Sequence, residues 1–187
     1  DLIHTHIMPD KMPNWVKKFG YGEFIHLEHR NCKACMMKGD MVFREVEENC
    51  YLPAPRLKDM EAHKVDVQVI STIPVLFNYW ARPKDGLETS RFLNDHIAET
   101  VAKDNAHFIG LGTVPMQDID LAIEEMLRCR TELNMPGIEM GTNINGENLS
   151  EKKYFPFFEA AEKSGCAIFI HPWEMMGETQ MQKYWLP

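Results

Sequence analysis

Near the start of the chain, Ile3-His4-Thr5-His6-Ile7 sets two histidines around one threonine in an apolar run that ends at Pro9. Side chains alternate faces along an extended strand, so His4 and His6 share one face and Thr5 takes the other. Two imidazoles side by side begin a metal site, because imidazole is a preferred ligand for zinc and similar cations. A third candidate, His171, ends the apolar run at 166–170 and is followed by Pro172-Trp173. Alone it would read as a histidine satisfying local hydrogen bonds. Beside a His-x-His strand it reads as a ligand.

A second cluster is a decoy. His26, His29, Cys32 and Cys35 are spaced by three, and Cys32-Lys33-Ala34-Cys35 looks like half of a zinc knuckle. All four crowd together, whereas structural zinc sites usually hold two ligand pairs a dozen or more residues apart. They read as solvated residues of an insertion. Arg44 and Lys38 lie in the same insertion, and an arginine folded over a site would grip a carboxylate with its bidentate fork. Phe77, in Phe77-Asn78-Tyr79-Trp80, and Trp173 follow strands and are candidate pocket walls; ordinary packing is the competing reading. Met175, Met176 and Met181 read as filler.

The elements that must carry these residues follow a regular rhythm. Strands are expected at 1–8, 65–72, 107–113, 137–141 and 166–171. Helices are expected from Arg56 to Lys64, over 85–104, from Asp118 or Asp120 to Leu133, and from Pro156 to Ser164. Residues 9–52 read as an irregular insertion carrying strands near 23–27 and 41–46, within a single domain of 1–187. Alternating strand and helix with buried strands is the pattern of a parallel sheet wrapped by helices. No glycine-rich phosphate loop opens a helix, since Gly110 and Gly112 fall inside a strand, so a nucleotide-binding Rossmann domain is disfavoured. The fold class is therefore α/β: a (β/α)8 TIM barrel of which about five units are present and roughly three are absent. In such a barrel, site residues sit at the C-terminal ends of strands, where His4, His6 and His171 fall.

Composition bounds the function. A formal net charge of −8 argues against a sequence-independent nucleic-acid binder and leaves small molecules as the expected partners. No apolar run is long enough for a membrane span, and the expectation is that no signal peptide precedes the first strand. Five cysteines, an odd number with three scattered singly, fit reduced cytosolic usage better than a disulfide framework. A start at Asp1 and an apolar end at Tyr184-Trp185-Leu186-Pro187 lead to the expectation of an N-terminal part of a longer protein.

Several segments together resemble the 2-amino-3-carboxymuconate 6-semialdehyde decarboxylase family of the amidohydrolase superfamily. They are IHTHIMP (3–9), KKFGYG (17–22), VFREVEENC (42–50), VQVISTIPVLFNYW (67–80), FIGLGTVPMQ (108–117), FPFFEAAEKSGCAIFIHPWEM (155–175) and KYWLP (183–187). The resemblance implies that His4, His6 and His171 bind zinc, and that Arg44 anchors a substrate carboxylate with Lys38 nearby. It places the family's fourth ligand, an aspartate, and its catalytic histidine beyond Pro187, so no catalytic residue is assigned within this chain. Leu2 departs from the family, which often has an acidic residue there.

The implied reaction is a non-oxidative decarboxylation to 2-aminomuconate 6-semialdehyde, which limits quinolinate formation in the kynurenine pathway of tryptophan catabolism. A cytosolic enzyme, homodimeric when full length, is the corresponding expectation. The alternatives are another decarboxylase or hydrolase on the same barrel, and an inactive fragment acting as a binding partner.

Overall fold

Five parallel strands, at 2–6, 67–71, 108–112, 137–141 and 167–171 in that order across the sheet, curl into an incomplete TIM barrel. The protein is described by a computed structural model over residues 1–30, 33–177 and 181. In chain order the elements are β1 (Leu2–His6), α1 (Trp15–Phe19), β2 (Ile25–Arg30), β3 (Lys33–Lys38), β4 (Met41–Val46) and α2 (Pro53–His63). There follow β5 (Val67–Ser71), α3 (Pro83–Lys103), β6 (Phe108–Gly112), α4 (Ile119–Thr131) and β7 (Gly137–Gly141). The short hairpin β8 (Asn143–Ile144) and β9 (Glu147–Asn148), then α5 (Phe155–Ser164) and β10 (Ala167–His171), complete the described order.

The local chemistry explains the boundaries. Pro53 and Pro83 open α2 and α3, where a missing N–H costs nothing. Asp118 caps α4 by accepting the Leu121 N–H at 3.1 Å. Gly165, at φ +62°, closes α5 in the left-handed region that glycine enters freely. α2 begins three residues before the expected Arg56, because Pro53 and Pro55 sit in its first turn instead of punctuating the loop ahead of it.

Helices α3, α4 and α5 pack one face of the sheet through Ile97, Met126, Phe157, Phe108 and Ile138, all buried. Burying each such side chain is worth about 1.5–3 kcal/mol. Two glycines set how closely the helices approach. A Cβ on Gly110 would stand 2.7 Å from Ile97 Cγ2, and one on Gly112 would stand 2.7 Å from Cys129 Sγ. Those glycines serve helix–sheet packing, in keeping with the sequence reading that denied them a phosphate-binding role.

Glu125 ties α3 to α4. Its buried carboxylate accepts from Arg91 Nε at 3.1 Å, Arg128 Nε at 2.9 Å and Asn94 Nδ2 at 2.7 Å. Asn94 also holds both backbone groups of Thr113 at the end of β6, so this network reaches the rim of the barrel.

The insertion corrects the sequence expectation. It contains helix α1 and a three-stranded antiparallel sheet, β2-β3-β4, where two strands in an irregular segment were expected. The overlooked strand is the central one, β3. Ala34, Cys35, Met36 and Met37 are all buried, so both faces of β3 are covered and the alternation that marks a half-exposed strand is missing.

Candidate metal centre

β1 and β5 pair in register from Leu2↔Val67 to His6↔Ser71, and β7 and β10 pair from Ala167↔Gly137 to His171↔Gly141. Both ladders therefore end at the same rim. The curl of the sheet brings the ends of its two outermost strands together: His6 Nε2 and His171 Nε2 lie 3.2 Å apart although 165 residues separate them. The His4 ring is edge-on to His6, with centroids 4.9 Å apart, and 5.9 Å from the ring of His171. The three histidines expected from the sequence thus meet in one place.

The neighbours of these rings fix which nitrogens face inward. His6 Nδ1 lies 2.9 Å from the Thr72 carbonyl, and His171 Nδ1 lies 2.9 Å from the Pro172 carbonyl. Only a protonated Nδ1 can donate to a carbonyl, so in both neutral rings Nε2 is the bare nitrogen. Ser71 Oγ stands 2.9 Å from His4 Nε2 and 3.2 Å from His6 Nδ1. Burial holds the His6 imidazole below its ordinary value, against a smaller upward pull from Glu139. A neutral imidazole is the form a metal binds.

Glu139 was not singled out in the sequence. It lies in the middle of β7, fully buried, and neither carboxylate oxygen has a hydrogen-bond partner. Its Oε1 stands 3.5 Å from His4 Nε2 and 3.8 Å from His6 Nδ1. Among the described residues, His4, His6, Glu139 and His171 form one group whose donor atoms all lie within 4.8 Å of one another. A lone acid in Gly137-Ile138-Glu139-Met140-Gly141 was the available signal, because charged residues are almost never fully buried without a partner.

A cavity of about 700 Å³ opens beside this group, lined by His6, His171, Arg44 and Trp173 together with Arg56 and Thr5. Arg44, on β4, reaches it from the insertion, which therefore folds over the rim as the sequence suggested. Lys38 is elsewhere. It pairs with Glu23 at 2.7 Å and lines a separate cavity of about 320 Å³ that it shares with Trp173, Asn78 and Asn143. Phe77 does not line either cavity. It is 1% exposed, and its ring stacks on Tyr79 with centroids 5.3 Å apart, so core packing accounts for it.

The decoy cluster does not converge among the described residues. His26 pairs with Glu28 and His29 with Asp10, while Cys35 is buried in the insertion sheet. Cys32 and the KYWLP segment at 183–187 lie outside the described residues.

Arg56 is a second residue the sequence reading passed over except as a helix start. Its guanidinium is buried and donates to the His6 carbonyl at 2.6 Å, Gln68 Oε1 at 3.0 Å and Thr5 Oγ1 at 3.3 Å. It clamps the outer side of the strand whose inner side carries the histidines.

A family model described as amidohydrolase matches residues 2–183, almost the whole chain. The chain belongs to the amidohydrolase family. Among curated relatives it is 49% identical over 186 residues to a 2-amino-3-carboxymuconate-6-semialdehyde decarboxylase of Dictyostelium discoideum, covering 99% of this chain and 52% of that protein. Two solved structures are similar at the level of the barrel. The 5-carboxyvanillate decarboxylase of Sphingomonas paucimobilis superposes with a TM-score of 0.67 at 29% identity, over 73% of this chain and 41% of that one. A dihydroxybenzoic acid decarboxylase of Polaromonas, solved with bound manganese and 2-nitroresorcinol, superposes with a TM-score of 0.62 at 26% identity, over 71% and 42%. This amidohydrolase chain thus spans roughly half the length of the relatives it matches, as the 52% coverage shows. No helix among its described residues is long and apolar enough to cross a membrane.

Proposed function

We propose that this amidohydrolase is a metal-dependent, non-oxidative decarboxylase acting on 2-amino-3-carboxymuconate 6-semialdehyde, with His4, His6 and His171 as metal ligands. The observation that carries the reading is the meeting of three imidazoles at one barrel rim, two of them with Nδ1 engaged by a carbonyl and Nε2 bare. That donor set fits a divalent cation: imidazole ligands are oriented by a hydrogen bond at the far ring nitrogen. The 49% identical relative supports the substrate. Zinc, rather than the manganese of the Polaromonas structure, is the ion proposed, on the resemblance carried by the IHTHIMP and HPWEM segments; a cytosolic homodimer belongs to the same reading.

When bound, the ion supplies Lewis acidity at the rim. The chain's own residues do the rest of what this part of the protein can do. The Arg44 guanidinium, at the mouth of the cavity, binds a substrate carboxylate through two parallel N–H donors and so fixes the conjugated chain relative to the histidines. Trp173 covers the same cavity and limits the access of water. The Thr72 and Pro172 carbonyls keep the protons of His6 and His171 on Nδ1, away from the reacting side. Products are carbon dioxide and 2-aminomuconate 6-semialdehyde.

The test is a substrate panel with metal analysis on the full-length protein, because residues 1–187 alone are expected to show weak or no turnover. Aminocarboxymuconate semialdehyde should be decarboxylated and about one metal ion bound per chain. Preference for a dihydroxybenzoate or carboxyvanillate would move the protein to the aromatic-acid decarboxylases, which the two similar structures represent. A His4→Ala, His6→Ala double variant that kept its metal and turnover would remove the site assignment.

A further inference from the structure

The smaller cavity, of about 320 Å³, has no part in the chemistry above, although Phe43, Val75 and Trp173 form a wall that it shares with the metal cavity. One of its polar groups is left over. Asn78 is 6% exposed, and among the described residues no partner engages its side-chain amide. Its backbone carbonyl is occupied, accepting from Ala81 N at 2.9 Å and Gln117 Nε2 at 3.3 Å. The amide is not sealed into the core either, so the space it meets is the cavity. Buried amides are ordinarily hydrogen-bonded. The asparagines beside it obey that rule: Asn143 Nδ2 donates to the Trp173 and Glu174 carbonyls, each at 3.0 Å, and Asn145 Nδ2 to the Tyr79 carbonyl at 2.9 Å. Asn78 also holds a left-handed backbone, at φ +52°, so the turn that presents it is a fixed one.

The charges of the cavity narrow its occupant. Lys38 and Glu23 pair at 2.7 Å with side chains 40% and 67% exposed. An ion pair that open to water is weakly held, so a ligand can part it if it returns a charge to each member. A lone anion would strand Glu23, and a lone cation would strand Lys38. A zwitterion strands neither: its carboxylate takes Lys38, its ammonium takes Glu23, and one ion pair becomes two. Glu174 lines the same cavity and offers the ammonium a second carboxylate. The Asn78 amide carries both donors and an acceptor, so it serves either end of such a ligand. Trp80, 48% exposed, supplies a flat apolar wall.

We infer that this cavity is a second ligand site, which takes a free α-amino acid with a flat apolar side chain. Its volume is at the small end for ligand cavities, which suits a single amino acid and excludes a peptide. The inference does not depend on the decarboxylase reading, because none of its polar contacts comes from the histidines or from Arg44.

The experiment is isothermal titration of metal-loaded, full-length protein with phenylalanine, 3-phenylpropionate and phenethylamine, which separate the zwitterion from its two single charges. Phenylalanine should bind with a dissociation constant of about 1 mM or below, and about 10-fold tighter than either analogue. Lys38→Met and Glu23→Gln should each weaken phenylalanine about threefold or more and erase that preference, with phenethylamine gaining in the first and 3-phenylpropionate in the second. A residue with a merely structural role would not invert selectivity in this way. Asn78→Gly removes the amide and keeps a residue at ease at φ +52°, and should also cost about threefold or more. Arg44 lines only the larger of the two cavities, so Arg44→Ala should leave phenylalanine affinity within about twofold. No binding of phenylalanine by about 10 mM would overturn the inference, as would equal affinity for all three probes. Binding that survives Lys38→Met, Glu23→Gln and Asn78→Gly but is lost in Arg44→Ala would put the ligand in the metal cavity and overturn it too.

Discussion

Replacing Arg56 by methionine tests whether the histidine strand is held from behind. The substitution keeps an apolar stem of similar length and removes the guanidinium that donates to His6 O at 2.6 Å, Gln68 Oε1 at 3.0 Å and Thr5 Oγ1 at 3.3 Å. Two effects oppose each other. The buried cation has no carboxylate partner among the described residues, and burial holds its pKa below the ordinary arginine value, so removing it relieves a desolvation cost. Against that, each buried acceptor left without a donor costs about 1–3 kcal/mol. The His6 carbonyl and the Gln68 amide are the two close ones; Thr5, at 3.3 Å, contributes less.

We expect the acceptors to win by about 2 kcal/mol, which for a chain of this size lowers the melting temperature by about 4–8 °C. The loss of the His6 anchor should also weaken metal binding about 10-fold or more, as other outer-shell losses do. Lysine discriminates the causes: it keeps the desolvated charge but cannot span three acceptors with one nitrogen, so Arg56→Lys should be no better than Arg56→Met. Urea denaturation and chelator competition measure both quantities. An Arg56→Lys protein within about 0.5 kcal/mol of wild type, or an Arg56→Met protein more stable than wild type, would refute the clamp.

Other expected outcomes follow from single groups. His96 is held neutral by burial, its pKa pushed down to about 4, so the unfolded chain binds the extra proton between that value and 6.5 and stability falls on acidification. From pH 7 to pH 5 wild type should lose about 2 kcal/mol more than His96→Gln, read as the difference between their urea midpoints; parallel pH profiles would contradict this. Glu125→Gln leaves Arg91 and Arg128 facing each other, with an expected cost of roughly 2 kcal/mol in chemical denaturation, below a fully buried pair because the Arg91 side chain is 40% exposed. In the full-length protein, Arg44→Ala should lower kcat/KM for the proposed dicarboxylate substrate by about 10–100-fold, and Arg44→Lys should recover little of it because the fork is lost; unchanged kinetics would return Arg44 to being a hairpin cation.

The barrel strands were legible because each is a short apolar or β-branched run bounded by helices with plain start and stop signals. β7 was placed to the residue at Gly137–Gly141 and β10 within one residue. Legibility failed where burial removes the pattern. β3 is covered on both faces, so Ala34 to Met37 show no alternation, and Cys35 stands out in the sequence only as part of a ligand-like spacing. Phe77 failed for the opposite reason: an aromatic residue after a strand fits a pocket wall and a core plug equally well, and only the stacking on Tyr79 decides.

The site divides along the same line. His4 and His6 are neighbours by strand periodicity alone, and a histidine at the tip of β10 can be placed at the same rim by topology. Glu139 and Arg56 have no such spacing. Each is a single charge in an otherwise apolar or helical segment, and what gives it meaning is the side chain it finds across the sheet: imidazoles for one, the carbonyl of His6 for the other. The inner face of β1 thus meets a buried acid and its outer face a buried base, at adjacent positions of one strand. A chain would retain two such costly burials around a strand of five residues only if the placement of that strand matters more than the stability it forgoes, and the histidines are what it places.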